Sequence, residues 1–379
     1  MPKLRGVNMK KFDFFYKRSS LVWIEDNSLV KTLWLNASWS SSSSRQRFAS
    51  DFYTSKVLFE LASQTGSLTS LAVDWINSML YYTYTDSPRS YIKVTRLLSG
   101  DGMLADSGHH YTLLTTTQDK PGLLVVNPKL RYLYWMDQGQ QAKMERASLD
   151  GSNRTVIVSR ELSTPTDLFV DARSGYLYWA DNTLDRIETC DFAGNNRRVL
   201  KAQGLPSPQS LYVLGGDLLF FADARLKSVF SLNLTTTATN SSTTMLKRLD
   251  RATSSLSEVF VYSDKSQVVD NIETPCSTSG CDQLCFALPG VNVPRCACAI
   301  GELDAQNGRS CKTPKEYLIY AMGRCFFVSI LNVLRVVNSQ FLDGKNNSLE
   351  GEGGGSKVAT KKIIVRLFIF DCILDFPKK

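Results

Sequence analysis

The chain has 379 residues, 43% of them apolar and 21% charged. That balance supports a buried core and excludes a collagen, a coiled coil and a wholly disordered protein. No window reaches about 18 apolar residues without a charge, which disfavours a multi-pass membrane protein. The formal charge of +8 lies at the ends, with six Lys and Arg against Asp13 alone in residues 1–20 and 11 against six Asp and Glu in residues 312–379. A near-neutral body has no surplus of cations for releasing counterions, so no nucleic-acid partner is expected.

Residues 1–20 read as a basic N-terminal segment. Phe12, Phe14, Phe15 and Tyr16 are broken up by Asp13 and flanked by Lys17 and Arg18, so no signal-peptide core forms. A repeat then fills residues 21–275. Its best-defined unit runs Leu168-Phe169-Val170-Asp171, Tyr176-Leu177-Tyr178-Trp179-Ala180-Asp181, Arg186-Ile187-Glu188 and Gly194-Asn195-Asn196-Arg197. The unit before it matches with Leu124–Asn127, Tyr132–Asp137, Lys143–Glu145 and Gly151–Arg154. Other copies place Phe221 before Asp223, Tyr82 before Asp86 and Trp23 before Asp26, and a weak copy lies at Phe48–Asp51. The six terminal aspartates, Asp26, Asp51, Asp86, Asp137, Asp181 and Asp223, stand 25, 35, 51, 44 and 42 residues apart.

Each unit has four short β-rich runs separated by Gly, Asn, Asp and Pro turns, without helical periodicity. Four strands at a period of about 40–45 residues describe a propeller blade. Radial packing buries both faces of a blade, which accounts for Tyr134, Trp135, Tyr178 and Trp179 as wedge-filling aromatics. The terminal Asp can tie off its strand end. There are five inner runs, the last at Val259–Tyr262, for six aromatic runs. The expectation is an all-β, six-bladed propeller in which Val259–Tyr262 returns to complete the first blade. The serine-rich tract of Ser38 and Ser40–Ser44 stands where an inner run is missing, leaving one blade incomplete.

Six of the nine Cys fall within residues 276–311: Cys276, Cys281, Cys285, Cys296, Cys298 and Cys311. With no CxxC and no nearby His, the cluster reads as a disulfide framework in oxidising surroundings and not as a zinc site. Spacing alone leaves the connectivity open. Cys190 reads as a buried free thiol, and Cys325 and Cys372 have no evident partner. A chain that needs disulfides but lacks an export signal is expected to be a fragment of something longer. The tail, residues 312–379, reads as irregular, and Arg324 and Arg335 oppose a membrane span across its apolar stretch.

Phosphate loops and HExxH are absent, and no enzyme is expected. His109 and His110 sit side by side in an insertion and read as solvated loop residues. So few His predict weak acid sensitivity, since His is the side chain that ordinarily titrates between pH 5 and 8. Sequons at Asn36, Asn153, Asn233, Asn240 and Asn346 mark glycan acceptors if the chain is exported.

Tyr-Trp-x-Asp at 134–137 and 178–181, Leu-Ala-Val-Asp-Trp-Ile at 71–76 and Asp-Gly-Ser-Asn-Arg at 150–154 resemble the YWTD repeats of low-density lipoprotein receptor-related proteins. In that family a six-bladed propeller is followed by an EGF-like module, here at 276–311, and the resemblance covers roughly residues 20–315. It implies pairing of Cys276 with Cys285, Cys281 with Cys296 and Cys298 with Cys311. Glu316–Ala321 resembles the first strand of a following propeller. The resemblance implies a non-catalytic ectodomain portion of an endocytic receptor, outside the plasma membrane or in the endosome lumen. It would bind extracellular protein ligands or adjacent receptor modules, and meet the membrane through other parts of the receptor. Loops such as Asp86–Tyr91 and Gly100–Thr117 are the expected contact surface. The same modules allow an alternative, an extracellular-matrix or basement-membrane scaffold. No cofactor is expected: calcium is possible by family, but Ala287 and Pro275 stand where its EGF ligands would be.

Overall fold

The computed structural model describes residues 9–34, 55–61, 65–100, 103–202, 204–235, 246–251, 256, 258–263, 266–267, 273–312, 317–322, 325–337 and 359–372. Five antiparallel sheets follow one another along the repeat region. The first holds β1 (Met9–Phe15), β2 (Ser20–Glu25), β3 (Leu29–Trp34) and β4 (Lys56–Glu60). The second holds β5 (Ser67–Asp74), β6 (Met79–Asp86), β7 (Arg89–Gly100), the hairpin strand β8 (Met103–Asp106) and β9 (Tyr111–Thr116). The third is β10 (Pro121–Asn127), β11 (Tyr132–Asp137), β12 (Lys143–Ser148) and β13 (Thr155–Val158). The fourth is β14 (Pro165–Asp171), β15 (Tyr176–Asp181), β16 (Arg186–Asp191) and β17 (Arg198–Lys201). The fifth is β18 (Pro208–Leu214), β19 (Leu218–Asp223), β20 (Ser228–Asn233) and β21 (Lys247–Arg251).

Alternation along the second strand of each sheet explains the packing. Successive side chains of a strand point to opposite faces. In β11, Leu133 and Trp135 enter the seam with the second sheet, while Tyr134 and Met136 enter the seam with the fourth. In β15, Leu177 and Trp179 face the third sheet, while Tyr178 and Ala180 face the fifth. Both faces are apolar because both are buried. Trp23, Trp135 and Trp179 are at most 2% exposed, and each such burial contributes roughly 2–3 kcal/mol. The terminal aspartates hold the ends: Asp181 accepts the backbone N–H groups of Ser163, Thr164, Thr183 and Leu184. Asp137 takes those of Lys120 and Gly139, and Asp223 those of Ser207 and Leu226.

Each inner strand pairs on one side only, so side chains from the neighbouring blade serve its other edge. Asp13 Oδ2 accepts Val73 N–H at 2.7 Å, Ser70 Oγ accepts Leu124 N–H at 2.9 Å, and Asp167 Oδ2 accepts Leu211 N–H at 2.9 Å. Ser210 Oγ accepts Val259 N–H at 3.1 Å, and Glu258 Oε2 accepts Phe12 N–H at 3.0 Å. Between the third and fourth sheets the link is Gln138 Nε2, which donates to the Pro165 carbonyl at 3.0 Å. The links run around the whole ring.

Three expectations are corrected here. Met9–Phe15, inside the segment read as lying before the repeats, is the inner strand of the first sheet. Its register puts Phe12 opposite Trp23 as Leu124 lies opposite Trp135; its charges obscured it. Val259–Tyr262 therefore has no first blade to complete. Among the described residues it stands as a lone sixth inner segment, with Phe260 packed on Tyr212 of the fifth sheet and on Phe12 and Phe14 of the first. Gln267 seals the join, accepting from Tyr16 N–H at 2.8 Å and donating to the Phe14 carbonyl at 2.5 Å. Among the described residues the incomplete blade is thus the sixth, and the serine-rich tract falls in sequence between β3 and β4. Asp51 and the whole of that tract lie outside the described residues.

The chain divides into two compact units, Met1–Ala299 with Gln306–Ser310, and Ile300–Ala305 with Cys311–Lys379. The first also contains the hairpin β22 (Leu284–Ala287) and β23 (Pro294–Ala297). Disulfides join Cys276 to Cys285 and Cys281 to Cys296, and Cys298 and Cys311 are also disulfide-bonded. The second unit holds β24 (Glu302–Leu303) paired with β25 (Cys311–Lys312). It also holds a three-stranded sheet of β26 (Tyr317–Met322), β27 (Cys325–Val337) and β28 (Ala359–Cys372). The tail is therefore not irregular over these stretches, in keeping with their Val and Ile content. Among the described residues no helix is long and apolar enough to cross a membrane.

Ring closure at Phe260 gives a direct expectation. Phe260→Ala should lower the unfolding free energy by about 2 kcal/mol through lost burial and the gap left among Phe12, Phe14 and Tyr212. Val199→Ala, on an exposed outer strand, should change it by less than about 0.5 kcal/mol. Chemical denaturation of both variants checks the contrast.

Candidate functional site

The inner segments enclose a cavity of about 120 Å3 on the ring axis. The residue just before each inner run governs its upstream end: Lys11, Ser70, Leu123, Asp167, Ser210 and Glu258 precede Phe12, Leu71, Leu124, Leu168, Leu211 and Val259. Three of these are charged and meet. Lys11 Nζ lies 2.8 Å from Asp167 Oδ1 and 2.7 Å from Glu258 Oε1, with the two carboxylate side chains 4% and 6% exposed. Lys11 bridges the first and fourth sheets and the lone segment, which closes this end of the cavity.

One ammonium serves two carboxylates, and the electrostatics follow. Burial works against the Lys11 charge, yet Asp167 and Glu258 hold its pKa above the ordinary lysine range. For Glu258, desolvation outweighs the attraction of Lys11, and Asp167 adds repulsion, so its carboxyl is pushed up to about 7. Desolvation likewise pushes Asp13 up to about 6, against the N–H groups of Val73 and Phe14 that it accepts. The sequence reading missed this site. The available signal was the recurrent polar residue before the inner run.

The other expected residues are placed as follows. Tyr82, Tyr134, Trp135, Tyr178, Trp179 and Phe221 lie in the seams and Trp23 is buried opposite Phe12, while Asp86 accepts the Thr65 hydroxyl at 2.8 Å and Asp26 takes a left-handed turn conformation at φ 49°. Asn153 and Asn233 are exposed. Asn36 and Asn240 lie outside the described residues. Cys190 is buried, and burial pushes its thiol up to about 12, which leaves little thiolate. His110 is not a solvated loop residue. Its Nδ1 lies 2.9 Å from the Tyr82 hydroxyl, its Nε2 2.8 Å from Asp106 Oδ2, and its ring meets Phe59 edge-on at 4.8 Å. The Gly100–Thr117 insertion carries β8 and β9 and is pinned to the seam of the first two sheets.

Asp119, Asp137 and Glu145 bring three carboxylates together. Lys143 Nζ stands among them at 2.9, 3.5 and 3.5 Å, and Arg154 reaches Asp119 and Glu145 at 2.7 Å. Two side-chain cations offset most of the charge of these three carboxylates.

The hairpin of the disulfide region packs on the second and third sheets. Leu284 and Phe286 join Tyr81, Ile92, Ala147 and Leu149. Arg131 donates to the carbonyls of Leu288 and Val291 at 2.9 and 2.7 Å, Thr274 donates to Asn77 at 3.0 Å, and Arg295 pairs with Asp150. Asn77 and Arg131 lie in the turns that follow inner strands, the end of the ring opposite Lys11.

Glu258 and Asp13 bind protons more tightly folded than unfolded, so their contribution is full below the ordinary carboxylate range and is lost as pH rises through about 6 to 7. Asp106, Asp119 and Glu25 are held below their ordinary values and act only at lower pH. The thermal midpoint should therefore be a few degrees higher at pH 5.5 than at 7.5. Glu258→Gln should flatten that difference; a midpoint that falls on acidification contradicts the assignment.

Comparison with known proteins agrees with this architecture. Residues 131–172 match the low-density lipoprotein receptor repeat class B, and residues 273–314 match the LRP2-like, EGF-like domain. The chain is 31% identical over 247 residues to human low-density lipoprotein receptor-related protein 5, covering 64% of this chain and 14% of that one. It is 25% identical over 261 residues to the vitellogenin receptor of Solenopsis invicta, covering 68% of this chain and again 14% of the relative. It thus spans about one seventh of these receptors' length. Among solved structures, a nidogen/laminin complex superposes with a TM-score of 0.50 at 21% identity, covering 66% of this chain and 81% of that one, which supports the fold alone. In its class B repeat and its EGF-like module, the chain is similar to the low-density lipoprotein receptor-related proteins.

Proposed function

We propose that this chain is a non-catalytic ectodomain portion of an endocytic receptor, a rigid body that presents a surface to extracellular proteins or to neighbouring modules. The observation that carries this reading is the fusion of the two modules. Phe286 is 1% exposed within an apolar seam shared with the second and third sheets, and Arg131 ties two hairpin carbonyls beside it. Together these contacts fix a disulfide-bonded hairpin on one end of the ring. Such a join transmits position and orientation, which a receptor built of many modules needs and a flexible tether would lose. Relatives that are receptors favour this over the matrix-scaffold alternative. The disulfides support an oxidising compartment, where exposed Asn153 and Asn233 would carry glycans. The reading includes a calcium-independent EGF-like module, since Ala287 and Pro275 offer no carboxylate.

Antibody fragments against the ring, applied to living cells that express the native full-length product, test the proposal. Surface labelling followed by uptake within minutes is expected. Label retained in deposited matrix would favour the scaffold reading, and labelling only after permeabilisation would reject both.

A further inference from the structure

Lys11, Asp167 and Glu258 close one end of the axial cavity, which leaves a cup open at the other. Part of the cup's wall is an aromatic arc. Phe169 and Tyr212 stand 4.5 Å apart, Tyr212 and Phe260 4.8 Å, and Phe260 and Phe14 4.5 Å. At the open end Asp171 lines the cavity and is 8% exposed. Its Oδ1 accepts Arg173 N–H at 3.0 Å, while its Oδ2 is buried without a hydrogen-bond partner among the described residues. Gly216 leaves room beside that oxygen: at φ +82° it has no Cβ, and one built there would lie 3.5 Å from it. Trp75 also lines the cup, and its Nε1–H is buried without a partner among the described residues. Exposed Lys129 and Arg173 form part of the rim.

A buried carboxylate oxygen with no donor is costly, and native structures rarely leave one. Aromatic faces beside a carboxylate suit an ammonium group. The rim has the opposite preference, since Lys129 and Arg173 repel a bare cation and attract an anion. A ligand that satisfies both carries both charges. We propose that the axial cup binds a compact organic zwitterion, its ammonium against the aromatic arc and Asp171 and its carboxylate at Lys129 and Arg173. A cavity of about 120 Å3 has the volume of roughly four waters, enough for a short aliphatic amino acid and too little for a folded peptide. The site is independent of the receptor reading, because it needs only the closed ring.

Isothermal titration of the oxidised full chain with 6-aminohexanoate tests it, with hexylamine and hexanoate as single-charge controls. The zwitterion should bind at least tenfold more tightly than either control. Asp171→Asn should weaken the zwitterion and hexylamine at least tenfold. Arg173→Gln, at an exposed position, should weaken the zwitterion several-fold and leave hexylamine unchanged. Unchanged thermal midpoints in the absence of ligand establish that each variant folds. If Asp171→Asn unfolds the chain, the Arg173→Gln contrast decides alone. The proposal is overturned if 6-aminohexanoate does not bind, if hexanoate binds as tightly, or if folded variants bind as the unmodified chain does.

Discussion

An inner propeller strand is hydrogen-bonded along one edge, and what satisfies the other edge decides the chemistry of the axis. Orphaned backbone N–H groups in a water-poor channel would each cost on the order of 1–3 kcal/mol. This chain supplies acceptors from the adjacent blade, sometimes a neutral hydroxyl at Ser70 or Ser210 and sometimes a carboxylate at Asp13, Asp167 or Glu258. Hydroxyls add no charge. Carboxylates accumulate charge at the centre of the ring, and Lys11 lies where it can offset two of them at once. Removing that ammonium would leave an uncompensated pair, a loss of about 3–5 kcal/mol for a buried ion cluster.

The same arrangement explains what was legible in the sequence. The seams were readable because alternation in Tyr132–Asp137 and Tyr176–Asp181 must place one apolar set in each of two neighbouring seams, and few other patterns do so. The first inner strand was not. Lys11-Phe12-Asp13-Phe14 looks like a charged leader, since its charges point into the ring, where partners distant in sequence wait at 167 and 258. Sequence shows charge but not its partner. His110 was misjudged for the same reason: Asp106 is near in the chain, but Tyr82 and Phe59 come from other strands.

Acid response does not require His. Desolvation brings Glu258 and Asp13 into the range between pH 5 and 8 that an unperturbed His occupies. Their protonation strengthens the fold where a buried imidazolium would weaken it. A fall in pH through this range would therefore tighten the ring at its axis.

Among the described residues, a ring of five complete sheets closed by a single segment is physically reasonable because the two roles of a blade are separable. The axis needs an inner segment at each position, for hydrogen bonds and for aromatic contact, and Glu258–Tyr262 provides both. The outer strands serve only to cover their neighbours. Where that cover is thin the packing records it: Phe220 of the fifth sheet is half-buried, whereas Tyr134 and Tyr178, at the same register in the third and fourth, are at most 4% exposed. Closure thus rests on few contacts concentrated near the axis, and a change at Phe260 or Glu258 acts on the whole ring while a change on β21 acts on one edge.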